Sequence, residues 1–579
     1  MNPLGYRPCA QTSGYNGRRC LVLALMGLGV VLLLGRALYL QLQEREFLLG
    51  EGDARHLRVM PIPAHRGMIV DRNGEPLAIS TPVDAIWANP RETLAAREQL
   101  PKLAAMLGID AAEIVRELAA RATLEFAYIK RGVDPEIAAR AMALAIPGIN
   151  LQREYRRYYP MGEVASQLLG FTDVDDAGQE GLELAFDDWL SAEVGAKRVI
   201  KDRLGRIVED VERISAASPG KDLRLSLDRR IQYLAYRELK AAVTRHHARS
   251  GAAVVLDPRT GEVLAMVNQP SFNPNNRENL STEGTRNRAV TDVLEPGSTI
   301  KPFVIAAAIQ SGRYRSDTMI ETSPGWYMVG GHTIQDEHDY GALNLAGVIR
   351  KSSNVGATKI ALSMTPASLW ESYQRVGFGA LTESGFPGEA AGALSSYQGW
   401  GDVERATLAF GYGLAATPLQ IARAYATIAA DGLLPSISYT AAREFMVRTR
   451  VMSASIARRL RGMLEGVVSV GGTAPMASVE GYRVAGKTGT VHKSIAGGYA
   501  RDRYVSIFAG MAPASEPALV SVVVIDEPGD GAYFGGQVAA PVFSRIMAGA
   551  LRLLDVRPDD LPHLQAHTPP APRITPNDA

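Results

Sequence analysis

"CLVLALMGLGVVLLL", residues 20 to 34, is continuously apolar, and after Gly35 and Arg36 the run resumes as "ALYLQL". About twenty such residues cross a hydrocarbon core as a helix, because no water there can satisfy an open backbone. Residues 20–42 are therefore expected to form a transmembrane anchor. Arg36 lies near the far end, where its stem can snorkel to the interface. Arg7, Arg18 and Arg19 precede the run with no acidic residue among them, so the positive-inside bias keeps residues 1–19 cytoplasmic. A cleaved signal peptide is the competing reading. Against it, no small-x-small cleavage site follows the run, which is long for such a segment. No second apolar stretch of that length occurs, so the chain from about residue 43 onward is expected to be exported.

That exported part has few covalent or electrostatic aids to folding. The only two cysteines, Cys9 and Cys20, sit at the extreme N-terminus, which excludes a disulfide framework or a cysteine-based zinc site further along. Lysine plus arginine (62) almost cancels aspartate plus glutamate (61), which argues against a nucleic-acid binder held by phosphate neutralisation. Folding must rest on burial, for which 579 residues suggest three or four domains.

Texture divides the exported chain. Residues 43–222 are charged and mixed. "PAHRGMIVDRNGEPLAIS" (63–80) reads as strand, an Asn73-Gly74 turn, then strand. "REQLPKLAAMLGID" and "AAEIVRELAARA" have helical spacing. "GFTDVDDAGQEGLELAFDDWL" (170–190) is a polar loop entering a helix, and its acidic "DVDD" lacks the spacing of a calcium loop. From residue 223 the pattern becomes more apolar: a strand, a helix over "RRIQYLAYRELKAAVTRH", and a hairpin in "GAAVVLDPRTGEVLAMVN" (251–268). After a long helical stretch come three strand-like runs, "YRVAGKTGTVHK", "YVSIFAGMAPA" and "LVSVVVIDEP", then a closing helix. Strands at both ends with helices between predict an α+β domain over 223–556, an antiparallel sheet covered by helices. Residues 557–579 hold six prolines and no apolar period, and read as a disordered tail.

Within that domain, "LEPGSTIKPFVIAAAIQSG" places Ser298 and Lys301 on one face of a helix's first turn. A serine hydroxyl needs a base, and a lysine serves if burial or a nearby cation keeps it neutral. A helix-capping serine with a snorkelling lysine fits S-x-x-K equally well, and about one such match is expected by chance. "KSSNVG" adds Ser352 and Asn354, whose hydroxyl can relay a proton and whose amide can hold a carbonyl; a pair of capping serines is the plain alternative. "AGKTGT" (485–490) is rarer. On a strand, Gly486 and Gly489 permit close approach of another backbone, Lys487 supplies a fixed cation, and Thr488 and Thr490 supply donors. This suits an extended peptide ending in a carboxylate, although Lys487 could equally guard an exposed edge.

Together, Ser298-x-x-Lys301, Ser352-x-Asn354 and Lys487-Thr488-Gly489 resemble the established active-site set of penicillin-binding proteins and serine β-lactamases. "RGMIVDRNGEPLA", "GFTDVDDAGQEGLE", "LDPRTGEVLAM", "EPGSTIKPF", "GYG" (411–413) and "YFGGQVAAPVF" extend the likeness to class B penicillin-binding proteins of the division (FtsI, or penicillin-binding protein 3) type. The resemblance covers the chain from the anchor to about residue 556. It implies a penicillin-binding transpeptidase domain preceded by an elongated α+β pedestal of the dimerisation type. Ser298 is then the acylated nucleophile and Lys301 its base, with Ser352 and Asn354 shuttling protons and positioning the donor. Lys487, Thr488, Gly489 and Thr490 form the substrate-binding strand, and the Ser298 and Thr490 N–H groups form the oxyanion hole.

The implied reaction is serine-type D-Ala-D-Ala transpeptidation of peptidoglycan stem peptides, donor and acceptor, in septal wall synthesis. β-Lactams act as covalent mimics, and no metal or organic cofactor is implied. Implied partners are the inner membrane through one helix, a SEDS glycosyltransferase of the FtsW type and divisome proteins, with the catalytic domain periplasmic and no nucleic acid. Other readings are an elongation-type or accessory class B enzyme, a D,D-carboxypeptidase, a β-lactamase, or a non-catalytic β-lactam sensor. A class A lactamase is disfavoured because no E-x-x-L-N follows Ser352, and a bifunctional polymerase because 43–220 does not resemble a glycosyltransferase. Arg66, Gly67, Asp71 and Arg72 read either as a partner-docking surface or as stabilisers of a hairpin.

Overall fold

The computed structural model describes residues 13–44, 57–201, 207–278, 280–441, 448–529 and 531–560. Residues 1–12 of the expected cytoplasmic segment, with Arg7 and Cys9, and residues 561–579 of the expected tail lie outside the described residues. Contacts divide the chain into two units: 1–64, 84–154 and 193–218 in one, and 65–83, 155–192 and 219–579 in the other.

The first unit begins with helix α1 (Ser13–Leu42). Its span Gly17–Leu42 is long and apolar enough to cross a membrane and buries none of that surface in the protein. Arg36 stacks over the Tyr39 ring at 5.1 Å and reaches Glu44 at 3.8 Å, so the charge is directed to the helix's end. A separate three-stranded antiparallel sheet joins Leu57–Ile62, Gly195–Lys201 and Ile207–Ser215. The helices predicted from spacing form at Leu100–Leu107 and Ala111–Ala120. Gly108 ends the first at φ +65, and the Asp110 carboxylate caps the second by accepting from the Ala112 N–H. Leu103, Leu107, Ile114 and Leu118 are buried in this unit's own core.

The second unit is built on a five-stranded antiparallel sheet. Its elements in chain order are α2 (Arg229–Arg245), β1 (Ser250–Leu256), β2 (Val263–Gln269), α3 (Lys301–Gln310), α4 (Asn354–Ser363), α5 (Pro418–Ala429), α6 (Ala454–Val468), β3 (Ala485–Ile495), β4 (Gly498–Ala512), β5 (Leu519–Asp526) and α7 (Gly535–Leu553). The strand order is β2-β1-β5-β4-β3, so β3 is an edge. Every residue of β1 and β2 is buried, which requires helices on both faces. Helices α2 and α7 pack on each other and on the sheet, as α5 and α6 do. The helix starts follow side-chain chemistry: Asp228 caps α2, Thr417 and Gln420 form a capping box on α5 with Pro418 at its first position, and Ser453 caps α6.

Contacts cross the sequence-derived domain boundaries at two places. Residues 65–83 and 155–192, assigned with 43–222, share a core with the residues from 219 onward. Ile69, Leu77, Leu168, Leu169, Leu182 and Leu190 are buried in the same cluster as Leu225, Leu256 and Leu264, and Ile69–Val70 pairs in parallel with Leu223–Arg224. At the other end, residues 557–560, assigned to the tail, are pinned. The Asp559 carboxylate accepts from the Arg483 N–H at 2.7 Å and the Ser515 hydroxyl at 2.6 Å, and the Asp560 N–H reaches the Gly481 carbonyl at 3.1 Å.

Arg66 is 1% exposed, which settles its local role as structural. Its guanidinium donates to Glu183 Oε2 at 2.8 Å and Asp187 Oδ1 at 2.6 Å, while Arg157 donates to Glu183 Oε1 at 2.7 Å. Asp71 accepts from the N–H groups of Asn73 and Glu75 and so shapes the hairpin turn, a three-residue loop in which Gly74 alone takes positive φ, at +88. Removing one partner from a buried ionic cluster leaves a charge without its counter-ion. Glu183→Ala is expected to lower the unfolding free energy by about 3–5 kcal/mol, measured by denaturant titration. Glu75→Ala, which breaks an exposed pair with Arg229, should cost at most about 1 kcal/mol in the same titration.

Candidate active site

Pro296 and Gly297 break the chain, and Ser298 sits in the 3₁₀ turn Gly297–Ile300 that feeds directly into α3. Gly297 takes φ +54, and a Cβ there would meet Val491 Cγ1 at 2.4 Å. The Ser298 turn is therefore pressed onto β3, with the missing Gly297 side chain as the condition of contact. Gly489 serves the same approach from the strand: a Cβ there would meet the Pro296 carbonyl oxygen at 3.0 Å. Ser298 is partly exposed, and neither its hydroxyl nor its N–H has a hydrogen-bond partner among the described residues.

Lys301 begins α3 and is fully buried. Its Nζ donates to the Ser352 carbonyl at 2.5 Å, Asn354 Oδ1 at 2.7 Å and Ser352 Oγ at 3.3 Å. From β3, the equally buried Lys487 donates to the same Ser352 Oγ at 2.9 Å and to Thr488 O and Oγ1 at 3.1 and 3.2 Å. Two amines thus converge on one hydroxyl. Burial pushes the Lys301 amine down to about 7, with the Asp336 and Glu337 carboxylates pulling the other way. Burial pushes Lys487 well below its usual range too, and the charge of Lys301 pushes it further. The sequence reading takes Lys487 as a fixed cation, and burial works against that charge until an anion lies beside it.

Ser352 ends helix Leu345–Lys351 in the left-handed region at φ +59, an uncommon conformation for serine that turns the chain between the two lysines. Asn354 is held at both ends, Oδ1 by Lys301 and Nδ2 by the Gln335 carbonyl at 3.1 Å, leaving one amide hydrogen free. On β3, the Thr488 hydroxyl pairs with Thr473 at 2.9 Å, and Thr490 Oγ1 accepts from the Gly535 N–H at 2.9 Å, which leaves its O–H to donate. The eight sequence-derived residues lie on the 3₁₀ turn before α3, the first residue of α3, the turn that leads from helix Leu345–Lys351 into the first residue of α4, and β3.

Asp336 was not anticipated. Its buried carboxylate accepts from the Ser353 hydroxyl at 2.5 Å, the Asn354 N–H at 2.5 Å and the Val355 N–H at 3.0 Å, fixing the start of α4. Its signal in the sequence is only an acidic residue after a short hairpin. Also missed was an aromatic group: Tyr504 stacks on Tyr533 at 4.1 Å, and His492 and Phe534 adjoin it. The Ser506 hydroxyl, opposite Thr490 in the ladder, donates to the Tyr533 carbonyl at 2.5 Å and ties this group to the strands.

Comparison with known proteins places this geometry in context. Residues 251–548 match the penicillin binding protein transpeptidase domain, and residues 61–225 match the penicillin-binding protein dimerisation domain. The chain is 45% identical over 547 residues to peptidoglycan D,D-transpeptidase FtsI of Escherichia coli K12, covering 94% of this chain and 92% of that protein. It is 44% identical over 546 residues to the probable peptidoglycan D,D-transpeptidase PbpC of Pseudomonas aeruginosa, covering 94% and 97%. Among solved structures, the transpeptidase domain of Burkholderia pseudomallei penicillin-binding protein 3 aligns with a TM-score of 0.54 at 45% identity, covering 58% of this chain and 98% of that one.

The lysine environment predicts a pH response. Below about 7 the Lys301 amine is protonated and cannot accept the Ser298 proton, so acylation of Ser298 by a penicillin should rise as pH passes through about 7 and then level off. Lys301→Ala should slow acylation by about 10²–10⁴-fold and remove that rise, both read from fluorescent-penicillin labelling over a pH series. Asp336→Ala, which removes the acceptor of the Asn354 and Val355 N–H groups, should cost about 0.5–2 kcal/mol of stability in denaturant titration and slow labelling, and should not raise its pH midpoint.

Proposed function

The chain belongs to the penicillin-binding proteins with a transpeptidase domain, and from that premise we propose how its residues carry out the reaction. It is a serine peptidoglycan D,D-transpeptidase of the division type. The observation that carries the residue assignment is the convergence of Lys301 and Lys487 on Ser352 Oγ, with Lys301 one helical turn after a Ser298 hydroxyl that has no hydrogen-bond partner among the described residues.

In this reading, the donor stem peptide lies along the β3 edge with its terminal carboxylate at Lys487, Thr488 and Thr490. Ser298 Oγ attacks the penultimate D-Ala carbonyl while neutral Lys301 takes its proton. The N–H groups of Ser298 and Thr490 hold the oxyanion. Collapse breaks the peptide C–N bond, and D-alanine leaves with a proton passed through Ser352. A side-chain amine of a second stem peptide then attacks the acyl-enzyme, loses a proton and regenerates Ser298. An arriving carboxylate favours the ammonium form of Lys487, and repulsion from it favours a neutral Lys301. β-Lactams enter the first step and stop there.

The apolar helix fits a single-pass membrane anchor. We further assign it to the inner membrane with the N-terminus inside and the catalytic domain outside, and assign the first exported unit to docking a SEDS polymerase and divisome proteins. Arg18 and Arg19, at the N-terminal end of the helix before its apolar run, support the orientation.

Mass spectrometry after penicillin treatment should find one adduct, on Ser298, which Ser298→Ala abolishes. No adduct, or one elsewhere, overturns the residue assignment. In cells depleted of their division transpeptidase, the wild-type chain should restore septation and Ser298→Ala should not. Continued filamentation with the wild type would favour an accessory or elongation role.

A further inference from the structure

Residues 469–473, between α6 and β3, form a loop that burial alone does not hold, since Val470 within it is 91% exposed. It is held from the helix that Ser352 ends. The Arg350 guanidinium donates to the Val470 carbonyl at 2.6 Å, and the Lys351 amine donates to the Gly471 carbonyl at 3.1 Å. A closed circuit of contacts results. Lys351 holds Gly471, the Thr473 hydroxyl bonds that of Thr488 at 2.9 Å, and Lys487 returns to Ser352 Oγ at 2.9 Å. At Thr473 the loop also meets α7: a Cβ on Gly536 would lie 2.2 Å from the Thr473 carbonyl oxygen and 3.6 Å from Thr488 Cγ2, so loop, strand and helix meet where a glycine leaves room. Among the described residues, the Thr473 hydroxyl has no hydrogen-bond partner other than Thr488.

A threonine hydroxyl has one proton to give and two lone pairs to fill. Thr488 Oγ1 faces two groups, Lys487 Nζ at 3.2 Å and Thr473 Oγ1 at 2.9 Å. The inference rests on the donor's terminal carboxylate lying at Lys487, Thr488 and Thr490, as proposed above. With that anion present Lys487 is an ammonium, which donates to Thr488 and has no lone pair to accept from it. The Thr488 proton then has two destinations, Thr473 Oγ1 or the carboxylate. When Thr473 donates, both lone pairs of Thr488 are filled and its proton is left for the carboxylate. Thr490 has a comparable support, since the Gly535 N–H donates to its Oγ1. We propose that Thr473 is a positioning residue for donor recognition, which donates to Thr488 Oγ1 and so turns the Thr488 proton towards the terminal carboxylate. Each bond in such a chain polarises the next, and a hydrogen bond to a carboxylate is roughly twice as strong as one between neutral groups.

The test compares two acyl-D-Ala thioester donors, whose released thiol reports acylation of Ser298. In one the leaving group ends in a carboxylate, and in the other that carboxylate is a primary amide. The full-length wild type should prefer the carboxylate donor by about tenfold or more in kcat/KM. Thr473→Val should lower that preference about fivefold or more, whatever the absolute rates, and Thr473→Ala, which removes the same hydroxyl with less bulk, should do likewise. Thr473→Ser, which keeps the hydroxyl, should retain the wild-type ratio. An undiminished ratio in Thr473→Val or Thr473→Ala, or an equal loss in Thr473→Ser, overturns the inference and leaves the transpeptidase reading standing. A wild-type ratio near one, or acylation of the wild type by neither donor with penicillin labelling intact, instead fails the carboxylate-binding reading and this inference with it.

Discussion

Two lysines that donate to one serine hydroxyl, both out of contact with water, govern the chemistry of this site. Lys301 Nζ and Lys487 Nζ lie 3.3 and 2.9 Å from Ser352 Oγ. Two ammonium groups at such a separation repel strongly in a low-dielectric interior, and neither has a carboxylate bonded to it. The arrangement survives only if protons are shared sparingly. That is the property a general base requires and an ordinary surface lysine lacks. The left-handed turn at Ser352 and the Asp336 carboxylate behind Ser353 and Asn354 hold the hydroxyl where both amines reach it.

The fold supplies that burial through its edges. Strand β3 is the last of five, so one side of its backbone is open for an extended ligand while the other is locked to β4 from Ala485 to Ile495. The nucleophile turn closes onto this strand because Gly297 and Gly489 lack side chains at the contact. A larger group at either position would push Ser298 away from Thr490, and a displacement of about 1 Å is costly to acyl transfer. Sheet, turn and lysine pair therefore form a single geometric constraint.

Local patterns made part of this readable beforehand. The 20–42 run, the S-x-x-K spacing on one helical turn and the alternating strands around "AGKTGT" each follow from periods of a few residues. What the sequence hid depends on distant pairings. Asp336 is 17 residues from Ser353, and Arg66 is 117 from Glu183. No local period links such positions. The interleaved division of 65–83 and 155–192 was hidden for the same reason, since a boundary drawn along the chain cannot show which core a segment enters. The burial of Lys487, which disfavours its charge, was equally invisible, because it depends on the packing around the strand and not on residue type.

The same reasoning gives the proposed mechanism a role for the substrate's terminal carboxylate. Without an anion beside Lys487, the cheapest protonation state leaves few charges in the pocket, and a proton on Lys301 competes with its use as a base. A carboxylate changes the order of preference: Lys487 becomes the favoured place for the charge, and Ser352 Oγ lies between the amines as a path for the proton. A peptide without that carboxylate leaves the competition unresolved, however well its backbone pairs with β3. On the proposed residue roles, recognition of the peptide end and activation of Ser298 are one electrostatic event, which would tie turnover to ligands that end as the cell-wall donor does.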